Sequence, residues 1–150
     1  MKIAVGFDHG GFPLKKNILE IISSMGHEVI DMGAYENDPN DDFPDFAAPV
    51  AKAVQSNTAK KGIIVCGSGV GANIVANKFK GVRAGLCHDT YSASQGVKHD
   101  DMNVLCLGAR VVGASLAEEL VMAFIESELE KNEDRFIRRL NKVKKIENNE

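Results

Sequence analysis

Short apolar runs alternate with longer segments of helical spacing along this chain. Residues 2–7 (KIAVGF) form a strand-like run, and residues 12–25 follow with Leu14, Ile18, Ile21, Ile22 and Met25 on one helical face. Gly26 closes that segment. Residues 27–32 predict a second strand, and residues 45–54 a second helix beyond an acidic loop at 36–42. Residues 62–66 (GIIVC) are short and apolar throughout, as in a strand covered on both faces. A helix over 71–79, strands over 82–87 and 104–107, and a helical stretch over 90–97 continue the rhythm. Residues 115–130 carry Leu116, Leu120, Phe124 and Leu129 as one stripe. Residues 133–146 set Phe136, Leu140 and Val143 among mostly basic neighbours, before a polar tail at 147–150.

Strands alternating with helices predict an α/β fold, a doubly wound parallel sheet in a three-layer α/β/α arrangement. A length of 150 residues suits one domain spanning 1–150, and neither a repeat nor a linker divides it. In such sheets ligands bind beyond the carboxyl ends of the strands, so the residues just after each strand are where chemistry is expected.

Composition narrows the function classes. With 44% hydrophobic and 26% charged residues the chain is ordinary globular material, neither disordered nor a disulfide scaffold. A net charge of -3 gives no field to draw in a polyanion, so nucleic acid is not an expected partner. Asp8 and His9 interrupt the first apolar run, and nothing approaches the roughly 18 to 20 apolar residues of a membrane span. The expectation is a cytoplasmic protein without a membrane partner. Three cysteines, an odd number lying in apolar runs, read as free thiols in a reducing compartment. Cys87 and Cys106 are expected to be small buried residues.

The residues after the strands are unusually polar. Asp8-His9-Gly10-Gly11 follows the first strand, and Cys66-Gly67-Ser68-Gly69-Val70-Gly71 follows the third and leads into a helix. Three alternate glycines let backbone N–H groups converge, and a helix N-terminus adds partial positive charge; together they suit an anion and favour a thiolate at Cys66. A glycine loop that merely closes a tight turn is the competing reading. A P-loop would need Lys and Ser or Thr after Gly71, where Ala72 and Asn73 stand. The glycines at 67, 69 and 71 also miss the G-x-G-x-x-G spacing, and Cys66 and Val70 miss the glycines of a nucleophile elbow. His99, Asp100 and Asp101 read either as a solvated turn or as chemistry. A metal site using His9, His99 and nearby carboxylates would rest on composition alone, since no HxxxH or CxxC spacing occurs. Arg135 and Arg139 share a helical face able to clamp a phosphate, or else form a solvated basic surface; Arg110 follows the last strand.

Taken together, Asp8-His9-Gly10-Gly11, Phe43-Pro44-Asp45-Phe46-Ala47, the Cys66–Gly71 loop, Ala76-Asn77-Lys78, Gly81-Val82-Arg83-Ala84 and His99 through Leu105 resemble the B-type ribose-5-phosphate isomerase family, which includes allose- and galactose-6-phosphate isomerases. The resemblance spans nearly the whole chain. It implies strand order 2-1-3-5-4 and a cofactor-free, metal-free aldose–ketose isomerase working through a cis-enediolate. It further implies a homodimer with shared active sites, the helix at 133–146 lying at or across the interface, with pairing into tetramers left open. By the same resemblance Cys66 is the general base, Ser68 the hydroxyl beside it, and Gly67, Gly69, Val70 and Gly71 the loop that holds the enediolate. His99 assists ring opening, Asp8 and His9 make substrate-hydroxyl and ring-opening contacts, Asp100 contacts the sugar, and Arg110, Arg135 and Arg139 hold the phosphate. Two positions depart from the family pattern: Asp100 stands where Asn is usual, and Phe43 where Tyr is frequent. An ionised carboxylate only accepts hydrogen bonds, so Asp100 bears on which sugar is read. Ribose 5-phosphate is the expected substrate, with a six-carbon sugar phosphate as the alternative and a non-catalytic sugar-phosphate sensor as the remoter one.

Overall fold

The computed structural model describes residues 1–149. Five parallel strands, β1 (Lys2–Phe7), β2 (Glu28–Asp31), β3 (Lys61–Cys66), β4 (Ala84–Leu86) and β5 (Val104–Gly108), form one sheet in the order β2-β1-β3-β5-β4. The order is the one the resemblance implied. Its register pairs Phe7 with Val65 and Cys66 with Gly108, which brings the carboxyl ends of β1, β3 and β5 side by side.

Strand parity divides the interior in two. Ile3, Val5, Phe7, Ile63, Val65, Leu105 and Leu107 face α1 (Lys15–Ser24), α4 (Thr90–Asp100) and α5 (Ala114–Glu126). Ala4, Ile64, Cys66, Val104 and Cys106 face α2 (Pro44–Gln55) and α3 (Val70–Ala76). Both faces are covered, which is why β3 and β5 are buried from end to end and read as continuous apolar runs. The last helix, α6 (Asp134–Glu147), packs against α4 through buried Phe136 and Leu140. Among the described residues no helix is long and apolar enough to cross a membrane.

Several element ends differ from the periodicity. Pro13 sits in a 3-10 turn over Phe12–Leu14, so α1 starts at Lys15 rather than at residue 12. The apolar stripe after residue 114 runs to Leu129, yet α5 stops at Glu126 because the buried Lys61 ammonium takes the carbonyls of Phe124, Ile125 and Ser127 at 2.6, 3.2 and 2.8 Å. A cation there satisfies acceptors that the helix cannot. The third helix ends at Ala76, where Asn77 turns its amide to edge strand β4, donating to Ala84 O and accepting from Ala84 N–H at 2.9 Å each. That side chain stands in for a missing strand. Glu147, expected in the polar tail, ends α6 and accepts from the Gly81 N–H at 2.7 Å; Glu150 of that tail lies outside the described residues.

Candidate active site

β1 leads toward β2 on one side and β3 continues toward β5 on the other, so the loops after β1 and β3 diverge and leave a crevice at the carboxyl edge. A cavity of about 360 Å³ occupies it, lined by Asp8, His9, Phe43, Cys66, Gly67, Ser68, Gly71 and Arg110 among others. The loop after β1 is held by Asp8, whose buried carboxylate accepts from the Gly11 N–H at 2.9 Å. The loop after β3 turns at Gly69, whose φ of 81° a side chain would oppose; a Cβ there would also come within 2.5 Å of Leu86. That turn starts α3 and sets Gly71, in its first turn, in the wall of the cavity, where a helix N–H has no carbonyl a turn earlier to bond.

Cys66 Sγ accepts a hydrogen bond from the Gly69 N–H at 2.9 Å, and it does so as the last residue of a buried strand with the cavity in front of it. A thiolate accepts that bond better than a thiol. Gly69 is therefore engaged with the thiol, and Gly67, Ser68, Gly71, His9 and Arg110 are donor-bearing residues that line the cavity around it. Ser68 Oγ accepts from the Val70 N–H at 3.2 Å, which leaves its own proton to donate outward. The Val70 side chain points into solvent. Phe43 closes the other wall: a Cβ on Gly71 would meet the tip of its ring at 2.7 Å, so only a glycine leaves room for the ring there. The other cysteines are unlike Cys66. Burial, with Asp89 nearby, pushes the Cys87 thiol up to about 11, and burial pushes Cys106 up as well.

His99, Asp100, Arg135 and Arg139 are elsewhere. Helix α4 leaves the carboxyl edge at Thr90 and returns to the opposite edge, where Asn103 O accepts from Gly62 N–H at the start of β3. Cys66 ends that strand four residues on, about 13 Å away at the rise of an extended chain. At this far edge the His99 ring stacks on Phe136 with centroids 3.9 Å apart, and the Arg135 guanidinium lies over Phe136 at 4.9 Å. The Gln95 side-chain amide lies 2.9 Å from His99 Nδ1 and holds the ring in place. Arg139 follows one helical turn after Arg135, and both are exposed. Asp100 is exposed and lines a separate cavity of about 350 Å³ beside β4. The anticipated site residues thus form two groups at opposite ends of one chain.

The match to known proteins decides the family. The profile of the ribose/galactose isomerases covers residues 3–143. The chain belongs to that family. Ribose-5-phosphate isomerase B of Escherichia coli (strain K12) is 45% identical over 129 residues, 86% of this chain and 86% of that one. The structure of Clostridium thermocellum ribose-5-phosphate isomerase B superposes with a TM-score of 0.94 at 42% identity, covering 99% of both chains. That of the Mycoplasma genitalium enzyme with bound ribulose 5-phosphate superposes with a TM-score of 0.92 at 39% identity, over 98% of this chain and 96% of that one.

One residue beside His9 escaped the sequence. Asp41 lay in an acidic loop among several carboxylates, and nothing local distinguishes it. In the fold, Asp8, His9 and Asp41 bring one ligand atom each within 4.8 Å of one another, yet His9 Nδ1 is bonded to Asp41 and Asp8 to Gly11. His9 lies at the carboxyl edge and His99 at the far one, so those two histidines cannot share an ion within one chain.

Proposed function

We propose that this protein is an aldose–ketose isomerase that interconverts ribose 5-phosphate and ribulose 5-phosphate without a metal or cofactor. The observation that carries the reading is the Cys66 thiol at the end of a buried strand, facing a cavity ringed by N–H and O–H donors. Proton abstraction beside a carbonyl needs a base shielded from bulk water and donors aimed at the oxygen where charge develops. The Cys66 thiolate takes the proton from C2 of the open-chain aldose. The enediolate oxygen then accepts hydrogen bonds from Gly67, Gly71 and Ser68. Cys66 returns the proton to C1 while the hydroxyl proton passes from O2 to O1, which completes the ketose.

We infer that the active unit is a homodimer in which a second copy supplies His99, Asp100, Arg135 and Arg139 to the Cys66 cavity. Separation of the two groups within one chain supports this, because neither suffices alone. Exposed apolar residues beside the cavity, Val70, Ile74 and Val111, support it as surface that a partner would cover. Arg110, already at the cavity, would share the phosphate with Arg135 and Arg139. In that arrangement α6 crosses the interface. Phosphate binding far from the reacting carbons holds them in register with the thiol. The three unpaired cysteines suit a reducing compartment, and we assign the protein to the cytoplasm.

The deciding experiment is turnover of the purified, exhaustively chelated protein on a panel of aldose phosphates. Conversion of ribose 5-phosphate with kcat/KM above that for allose 6-phosphate and galactose 6-phosphate is expected. A preference for a six-carbon phosphate would reassign the substrate, and loss of activity on chelation would reject the metal-free mechanism.

A further inference from the structure

The carboxylate of Asp41 meets a histidine and nothing else among the described residues. Its Oδ1 accepts from the His9 backbone N–H at 3.1 Å and lies 2.6 Å from His9 Nδ1. Its Oδ2 is buried without a partner. The Asp41 side chain is 9% exposed and that of His9 33%, so the acid sits behind the ring and the ring faces the cavity. A carboxylate placed there caps no helix and pairs with no lysine or arginine. Burying it without such compensation is costly unless the histidine bond matters.

We propose that Asp41 is a positioning residue that fixes His9 in its Nδ1–H tautomer. An ionised carboxylate can only accept, so the proton between the two side chains must reside on Nδ1. Nε2 is then the nitrogen with a free lone pair, and it is the one left to the substrate. Oδ1 binds the His9 backbone and ring together, which fixes the side-chain torsions as well as the tautomer. A buried carboxylate behind an imidazole also stabilises the ring once Nε2 has taken a proton, the logic by which an acid supports a histidine base. His9 in this role accepts the proton of the anomeric hydroxyl as the cyclic aldose phosphate opens, while the His99 supplied by the second copy gives a proton to the ring oxygen, which becomes a hydroxyl. The assignment of that step rests on the isomerase reading of the cavity; the tautomer does not.

The test is nitrogen-15 NMR of the histidine rings in the unliganded protein, with Asp41→Asn and Asp41→Ala beside it. His9 is expected to show the proton on Nδ1 in the native protein and predominantly on Nε2 in Asp41→Ala. A native His9 carrying its proton on Nε2 would overturn the proposal. In kinetics, kcat on ribose 5-phosphate is expected to fall on the order of tenfold to a hundredfold in both variants, with KM changed far less. Should Asp41→Ala fail to fold, the isosteric Asp41→Asn carries the kinetic arm, and unchanged kcat there rejects the role. Adding Asp41→Asn to His9→Ala should cost nothing further, since Asp41 acts only through the ring; additive losses count against it. A native protein inactive on every sugar phosphate would sink the isomerase reading while leaving the tautomer measurement to stand or fall by itself.

Discussion

The Gly69 N–H points at Cys66 Sγ across 2.9 Å, three residues along the same loop. That contact requires Gly69 to adopt a left-handed backbone conformation, and the same turn launches α3 from the end of β3. The Cys66 thiol and the donors around it are therefore products of a single local geometry.

Removing the thiol should abolish chemistry without unfolding the protein. For Cys66→Ala we expect kcat to fall by about three orders of magnitude or more, with the thermal midpoint within a few degrees of native, since the side chain is small. Steady-state assays and calorimetry check this; near-native turnover would reject Cys66 as base.

Thiol chemistry should be selective. Iodoacetamide near neutral pH is expected to modify Cys66 first, with activity lost in proportion and sugar phosphate protecting. Cys87, pushed up to about 11, and the buried Cys106 should label only on unfolding. Peptide mass spectrometry reads the order, and inactivation tracking Cys87 or Cys106 contradicts it. Because the Cys87 thiol ionises later in the fold than in the unfolded chain, its contribution to stability is lost as pH rises from about 9 toward 11.

Mixing two dead variants should restore a living enzyme. In the proposed shared-site dimer, Cys66→Ala and His99→Ala homodimers would each lack a group in both sites, whereas their heterodimer would have one complete site. After subunit exchange we expect about a quarter of native activity, from half the dimers having one good site of two. No recovery, with exchange verified by mass spectrometry, would reject the shared site.

Lys61 fastens β3 to the end of α5. Lys61→Met leaves the carbonyls of Phe124, Ile125 and Ser127 without their donor, and we expect a loss on the order of 2 to 4 kcal/mol in urea unfolding. Burial and nearby Lys60 push the ammonium down to about 8 from its ordinary 10.5. The unfolded chain then binds more protons between those values, so native stability relative to Lys61→Met should grow as pH rises from about 8 to 10.5. A difference that shrinks over that window would contradict the direction.

Arg110 should act on binding more than on chemistry. Arg110→Ala is expected to raise KM for ribose 5-phosphate about tenfold while kcat falls less, since it lies at the cavity rim rather than at the thiol. An unchanged KM would remove it from the phosphate site.

Much of this was written locally in the chain. The alternation of short apolar runs with 3.6-residue stripes determined an α/β sheet covered on both faces, because those periods depend only on neighbouring residues. The order of residues after the third strand marked the Cys66 loop for the same reason, as turn, thiol and helix start lie within six positions. Strand order came only through resemblance, since periodicity says nothing of which edge a strand joins. The tertiary structure decided the rest. It set His99 and Arg135 beside Phe136 at the far edge, because α4 and α6 return there. It joined His9 to Asp41 across 32 residues of sequence, and it ended α5 at Glu126 by seating Lys61 under its last carbonyls. Such pairs depend on how the sheet is wound and how its helices cross it, and no local pattern of hydrophobic and polar residues encodes that distance.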